Sequence, residues 1–154
     1  MKCTKLWLAG ALALAGILSP APARAASCSF SNVTGPAFGS YDVFAPSSTD
    51  SAGNIAYSCT GGATVVIALS MGNGPTFTPR HLQAPGGFLL PYNLYLDANH
   101  ATIWGDGTGA TSTSPPNSPA DGAIVMVPIF ASIPPHQDVP MGHYSDTITV
   151  TLNF

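Results

Sequence analysis

From Tyr144 to Phe154 the chain alternates. Tyr144, Asp146, Ile148, Val150, Leu152 and Phe154 fall on one face, and Ser145, Thr147, Thr149, Thr151 and Asn153 on the other. A repeat of two is the signature of a half-buried β-strand. Asn54–Cys59 repeats it with Ile55, Tyr57 and Cys59, and Ala63–Met71 with Val65, Ile67, Leu69 and Met71. So do Phe88–Ala98, through Leu90, Tyr92, Leu94 and Leu96, and Ala123–Ile133, through Val125, Val127, Ile129 and Ile133. Ala63–Ala68 is apolar on both faces, which predicts a central strand. Phe30–Val33 and Tyr41–Phe44 are shorter extended candidates. Pro91 inside its run implies an edge or a bulge.

The segments between these runs read as loops: Pro46–Gly53, Gly72–Gly87, Asn99–Gly122 and Pro134–Gly142, with a turn at Gly61-Gly62. With 16 Gly and 15 Pro, no long amphipathic helix fits beyond the first 25 residues. Short strands separated by such punctuation predict one all-β sandwich domain. The terminal run reaches Phe154 on its apolar face. A strand left open in this way is expected to be covered by a strand from another protein.

Residues 1–25 have a different character. Lys2 and Lys5 precede the apolar run Leu6–Leu18, and Ala23-Arg24-Ala25 follows. This predicts a secretory signal peptide cut between Ala25 and Ala26, its apolar run being short for a bilayer span. The domain is then 26–154, secreted through the periplasm and not membrane-spanning. Lys2, Lys5 and Arg24 depart with the signal, leaving Arg80 against seven acids, all Asp. Such a chain has no basic patch for nucleic acid. Its polarity comes from Ser, Thr, Asn and Gly. Cys28 and Cys59 remain as a pair in an oxidising compartment, which predicts a disulfide. Closing that loop stabilises the fold by roughly 3–4 kcal/mol on the chain-entropy model.

Candidate chemistry is sparse. His136, Met141 and His143 are close in sequence, and Met with His can hold copper. Pro134, Pro135 and Pro140 mark the same stretch as a turn, so exposed loop histidines are the simpler expectation. The Asp residues are scattered, and Asp106 between Gly105 and Gly107 fits a turn. There is no G-x-S-x-G elbow. Phe88, Tyr92, Tyr95 and Trp104 could stack on a sugar, although core and turn packing is the preferred account of them. The sequence therefore predicts a protein that is not an enzyme and takes no cofactor. The alternative reading is a periplasmic metal- or sugar-binding module.

Three stretches, taken in order, resemble a known family. The first has Cys28, Phe38-Gly39, Tyr41 and Tyr57-Ser58-Cys59-Thr60. The second has Leu90-Pro91-Tyr92-Asn93-Leu94-Tyr95-Leu96-Asp97, then Trp104-Gly105-Asp106-Gly107. The third runs from Ile129–Pro134 through Gln137, Pro140 and Gly142 to Tyr144, Asp146 and Thr147–Leu152. Arg80 also stands where the family often has an Arg. Residues 28–154 resemble the spore coat protein U domain, shared with Csu-type subunits of archaic chaperone–usher pili.

The resemblance implies an incomplete immunoglobulin-like β-sandwich whose missing strand leaves an apolar groove. A periplasmic chaperone would fill the groove first. At the outer-membrane usher, a strand from another pilus or coat subunit would replace the chaperone's. Ile148, Val150, Leu152 and Phe154 are the expected groove-lining and chaperone-binding residues. The expected function is a structural or adhesive subunit of a cell-surface fibre or spore coat. One departure stands out: Ala26 and Ser27 alone separate the expected cleavage point from Cys28. Two residues cannot span a groove at about 3.3 Å each, so the chain is expected to accept a strand and not to donate one.

Overall fold

The computed structural model describes residues 24–154, so the expected signal lies, apart from Arg24 and Ala25, outside the described residues. The described chain is all-β, with strands β1 (Ser27–Thr34), β2 (Thr49–Thr60), β3 (Val66–Leu69), β4 (Arg80–Gln83), β5 (Leu89–Tyr95), β6 (Ile124–Ile133) and β7 (Val150–Asn153). Two sheets pack face to face. One has the order β1-β2-β6-β5-β4, and the other is β3-β7. Every pairing between these strands is antiparallel. No helix among the described residues is long and apolar enough to cross a membrane.

The core is the sum of the alternating faces read from the sequence. Ile55, Tyr57, Cys59, Ile129, Ala131 and Ile133 meet Val65, Ile67 and Leu69 across the sandwich, with Leu90, Tyr92, Leu94 and Trp104 beside them. Cys28 pairs with Cys59 in the β1–β2 ladder, and the two are joined by a disulfide.

The long segment between β5 and β6 is not a free loop. Leu96 N–H donates to Thr102 O at 3.0 Å and Trp104 N–H to Leu94 O at 2.9 Å, which ties it to β5. Leu69 N–H donates to Gly105 O, Ser114 N–H to Ile67 O, and Val65 and Asn117 exchange two backbone bonds, which ties it to β3. The indole N–H of Trp104 reaches Ile67 O at 3.0 Å. One side of the sandwich is thus laced shut by hydrogen bonds.

Arg80 completes this lacing. It opens β4 and is 0% exposed. Its guanidinium donates to Ser70 O at 2.8 Å, to Trp104 O at 2.7 Å and to Asn93 Oδ1 at 2.9 Å, and it lies 5.0 Å from the Phe77 ring centre. Burial lowers its pKa from the usual arginine value. Its charge is met by neutral oxygens from three separate segments, an arrangement that suits a planar fork of donors.

Several boundaries differ from the sequence reading. β2 begins at Thr49, inside the expected Pro46–Gly53 loop, because Thr49–Gly53 finds Ile129–Ile133 as a partner. β4 falls inside the expected Gly72–Gly87 loop, its place set by Arg80 and by pairing with β5. Residues 41–44 form a turn instead of an extended run: Asp42 accepts from Phe44 N–H and Ala45 N–H. β3 is shorter than the expected Ala63–Met71 run. Pro91 pairs with His81 where β6 does not reach, since β6 meets only Asn93–Tyr95, which matches the expected edge.

Truncating Arg80 to Ala takes the guanidinium donors from Ser70 O and Trp104 O and leaves Asn93 Oδ1 with Leu94 N–H alone, at about 1–3 kcal/mol for each acceptor left unmet. Chemical denaturation should show most of a typical 5–15 kcal/mol stability gone, and Arg80→Lys should rescue only part of it. Replacing Cys28 and Cys59 together by Ser should lower stability by roughly 3–4 kcal/mol under non-reducing conditions, and reductant should then have no further effect.

Candidate functional site: an apolar groove between two open edges

The side of the sandwich away from the lacing is open. β1 ends the larger sheet and β7 ends the smaller one, so each has one edge without a strand partner among the described residues. Between them lies a cavity of about 960 Å³. Its walls include Leu82, Leu90, Leu94, Ile129, Ile133 and Val150. The segments 35–44 and 139–146 rim it.

The backbone of β7 is aimed by its neighbours. Thr149 is bonded to Ser70 through Ser70 N–H to Thr149 O and Thr149 N–H to Ser70 Oγ. Ile67 and Leu69 on β3, and Val65 just before it, use their backbone groups on the lacing side. Ala68 and Val66 are therefore the residues that bond Thr151 and Asn153. Alternation then turns the N–H and C=O groups of Ile148, Val150 and Leu152 toward the open side. Apolar side chains and unpaired ladder groups come from the same residues.

β1 is arranged in a matching way. Cys28 and Cys59 have Cα atoms 4.1 Å apart, the close spacing of a pair without mutual ladder bonds. Cys59 O instead accepts from Gly122 N–H, on the far side of β2. By alternation, with the register shift between Phe30 and Asn32, the backbones of Phe30 and Val33 face the open edge. Both side chains are partly exposed for apolar residues inside a strand.

The four residues expected in the groove do not share one environment. Ile148 and Val150 line the cavity. Leu152 is half-buried against the core and pairs with Ile67. Phe154 lies past the end of β7, 57% exposed, and is not among the cavity's lining residues. The expected single strand from Tyr144 is also broken. Ser145 bridges Gln83 of β4, whereas Val150–Asn153 pairs with β3, so the chain crosses from one sheet to the other in between.

Asp146 sits at that crossing, and the sequence reading gave it no role. Its carboxylate accepts from Tyr92 O–H at 2.7 Å, from Asn73 N–H at 2.7 Å and from Thr147 N–H at 2.7 Å. Gly72 makes room, because a Cβ there would collide with the carboxylate. Burial, and then the bond to Asp146, pushes the Tyr92 phenol well above its usual pKa. The sequence signal was available: an acid on an otherwise apolar face of a strand marks a place where the strand stops being ordinary.

The other candidate residues are dispersed. Met141 is 103% exposed, and among the described residues no group of three or more His, Cys, Asp or Glu could hold a metal. Trp104 is fully buried and Tyr92 nearly so, so neither presents a face for stacking on a sugar. Asp106 takes the N–H and hydroxyl of Thr108, which holds its carboxyl below the usual carboxylate range in a tight turn.

A family model described as the Spore Coat Protein U domain matches residues 15–151. Protein U of Myxococcus xanthus is 28% identical over 185 aligned residues, covering all of both chains. Among solved structures, the chain is similar to one in the crystal structure of the CsuC–CsuE chaperone–tip adhesion subunit pre-assembly complex from archaic chaperone-usher Csu pili of Acinetobacter baumannii. The TM-score is 0.52 at 19% identity, over 84% of this chain and 40% of that one. This chain thus spans less than half the length of the solved chain, and the likeness is one of fold: an immunoglobulin-like sandwich left incomplete along one side.

The raised Tyr92 pKa makes stability depend on pH. Its neutral form is favoured in the folded protein, so its contribution is complete below the ordinary tyrosine value of about 10 and is lost as pH climbs beyond it. Stability measured against pH should fall steeply above pH 10. In Tyr92→Phe that alkaline fall should flatten, with overall stability at neutral pH lower by about 1–3 kcal/mol.

Proposed function

The chain belongs to the spore coat protein U domain family, and we propose that it is a secreted structural or adhesive subunit of a chaperone–usher-type pilus or coat that accepts a β-strand from another protein. The observation that carries this reading is the conjunction on β7. Ile148 and Val150 line an apolar groove, and these two with Leu152 turn unpaired backbone groups along its edge. An extended segment laid there gains ladder bonds from the backbone and specificity from alternate side chains in the groove. Each aliphatic side chain so buried contributes about 1.5–3 kcal/mol.

The geometry constrains the guest. β1 runs toward the cavity, since its C-terminal Val33 lines it, and β7 runs away from the cavity, since its N-terminal Val150 does. A strand inserted between two opposed edges is antiparallel to one and parallel to the other. Facing Ile148 to Leu152 requires about five residues of guest, apolar at alternate positions.

In this reading the N-terminal residues direct export, and a periplasmic chaperone occupies the groove first. An outer-membrane usher then exchanges the chaperone for another subunit, and the protein ends in a surface assembly. The reading is non-enzymatic. What supports the partners is the open edge itself: an unprotected, apolar strand edge is an aggregation hazard unless another strand covers it. The solved complex of similar fold pairs a chaperone with a tip adhesion subunit.

Co-expression with the chaperone encoded nearest this gene should yield a soluble one-to-one complex, whereas expression alone should yield aggregates. Val150→Asp should abolish the complex by placing a charge in the groove. A stable, soluble monomer without any partner, or a Val150→Asp complex of undiminished yield, would overturn the proposal.

A further inference from the structure

Residues 35–44 roof one end of the groove and belong to no strand. The segment is fixed at its root and near its tip. At the root, Ser51 Oγ accepts from Ala37 N–H at 3.0 Å and donates to Ala37 O at 2.9 Å. Gly53 lets the chain leave β1 there, because a Cβ would strike Thr34 O. Near the tip, the Tyr41 hydroxyl donates to Pro134 O at 2.9 Å and accepts from Gln137 N–H at 2.8 Å. One phenol thus ties this segment to the chain just after β6.

Between these anchors Phe38 turns inward. It is partly buried against the core, and its ring meets Tyr92 edge-on at 6.0 Å. Phe38 and Tyr41 both line the cavity, as do Leu90 and Tyr92 beneath them. Phe44, beyond Tyr41, is 86% exposed and anchors nothing. The segment is a strap held by a few side-chain bonds and one aromatic plug, in a region where no ladder protects it.

We propose that residues 35–44 form a displaceable strap that competes with an incoming strand for the end of the groove nearest Tyr92, with Phe38 as its plug and Tyr41 as its latch. The inference rests on the strand-accepting reading and adds a control to it. A guest strand can zip along Leu152 and Val150 unhindered, but completing its contacts near Ile148 requires the strap to lift. The apparent affinity for a strand is then reduced by the fraction of molecules whose strap is closed. The latch is built from groups outside β7, so it can be altered without touching the ladder edge.

The test dilutes the denatured chain into buffer that already holds a fluorescein-labelled synthetic peptide with the sequence of Thr147–Phe154, whose apolar residues alternate as the groove requires, so that the groove is never left without a strand to fill it. Association is followed by fluorescence anisotropy for the unaltered chain, Tyr41→Phe, Phe38→Ala and Val150→Asp. Tyr41→Phe removes the hydroxyl but keeps the ring. It should bind faster and tighter by at least roughly three- to tenfold, the equilibrium factor of a single hydrogen bond, since the hydroxyl makes two. Phe38→Ala should do so as well, which guards against a folding defect in either variant alone. Equal binding by the unaltered chain, Tyr41→Phe and Phe38→Ala, with Val150→Asp impaired, overturns the strap and leaves the groove intact. Weaker binding by both latch variants overturns it too, since the segment would then be part of the binding surface. No binding by any of the four chains overturns the strap and the strand-accepting reading together.

Discussion

The buried guanidinium of Arg80 is the constraint on which the sandwich turns. It is bonded to the end of β3 through Ser70, to β5 through Asn93 and to the β5–β6 connection through Trp104. These segments belong to different sheets and are far apart in sequence. A cation without a carboxylate partner is expensive to bury. It persists because its planar donors find carbonyl and amide oxygens at short range. With Trp104 bonded to Ile67, the same cluster pins the two sheets together along one side. The fold can then leave its opposite side open without coming apart.

That asymmetry connects stability to function. On the laced side, β3 has its backbone groups met by β7 and by residues 105–117. On the open side, β7 and β1 each have one edge without a strand partner among the described residues. The disulfide contributes here by tying β1, the outermost strand, to β2. Without it, one wall of the groove would rest on ladder bonds and on little apolar burial, since β1 is largely exposed.

Asp146 marks the place where the two demands meet. The chain must leave β4 of the larger sheet and join β3 in the smaller one within a few residues. The carboxylate collects a phenol and two backbone donors at the crossing. This fixes where β7 begins, and hence which residues face the groove. A purely apolar strand at that position would have no reason to change sheets.

The alternation of residues by itself determined the all-β class, five of the seven strands and most of the core, because burial on one face of a pleated strand enforces a period of two. The cysteine count determined the bridge, since two remained with each other as the only partners. The motif order determined the family. Two things were decided only in three dimensions. β4 and the first turn of β2 carry no periodic signal, and they became strands because Tyr92 and Ile129–Ile133 offered them ladders. The groove's membership was decided likewise. One alternating run from Tyr144 to Phe154 was divided by the sheet crossing, so Ile148 and Val150 reached the cavity and Phe154 did not. A pattern along the chain fixes which face a residue takes, but only the arrangement of neighbouring strands fixes what that face meets.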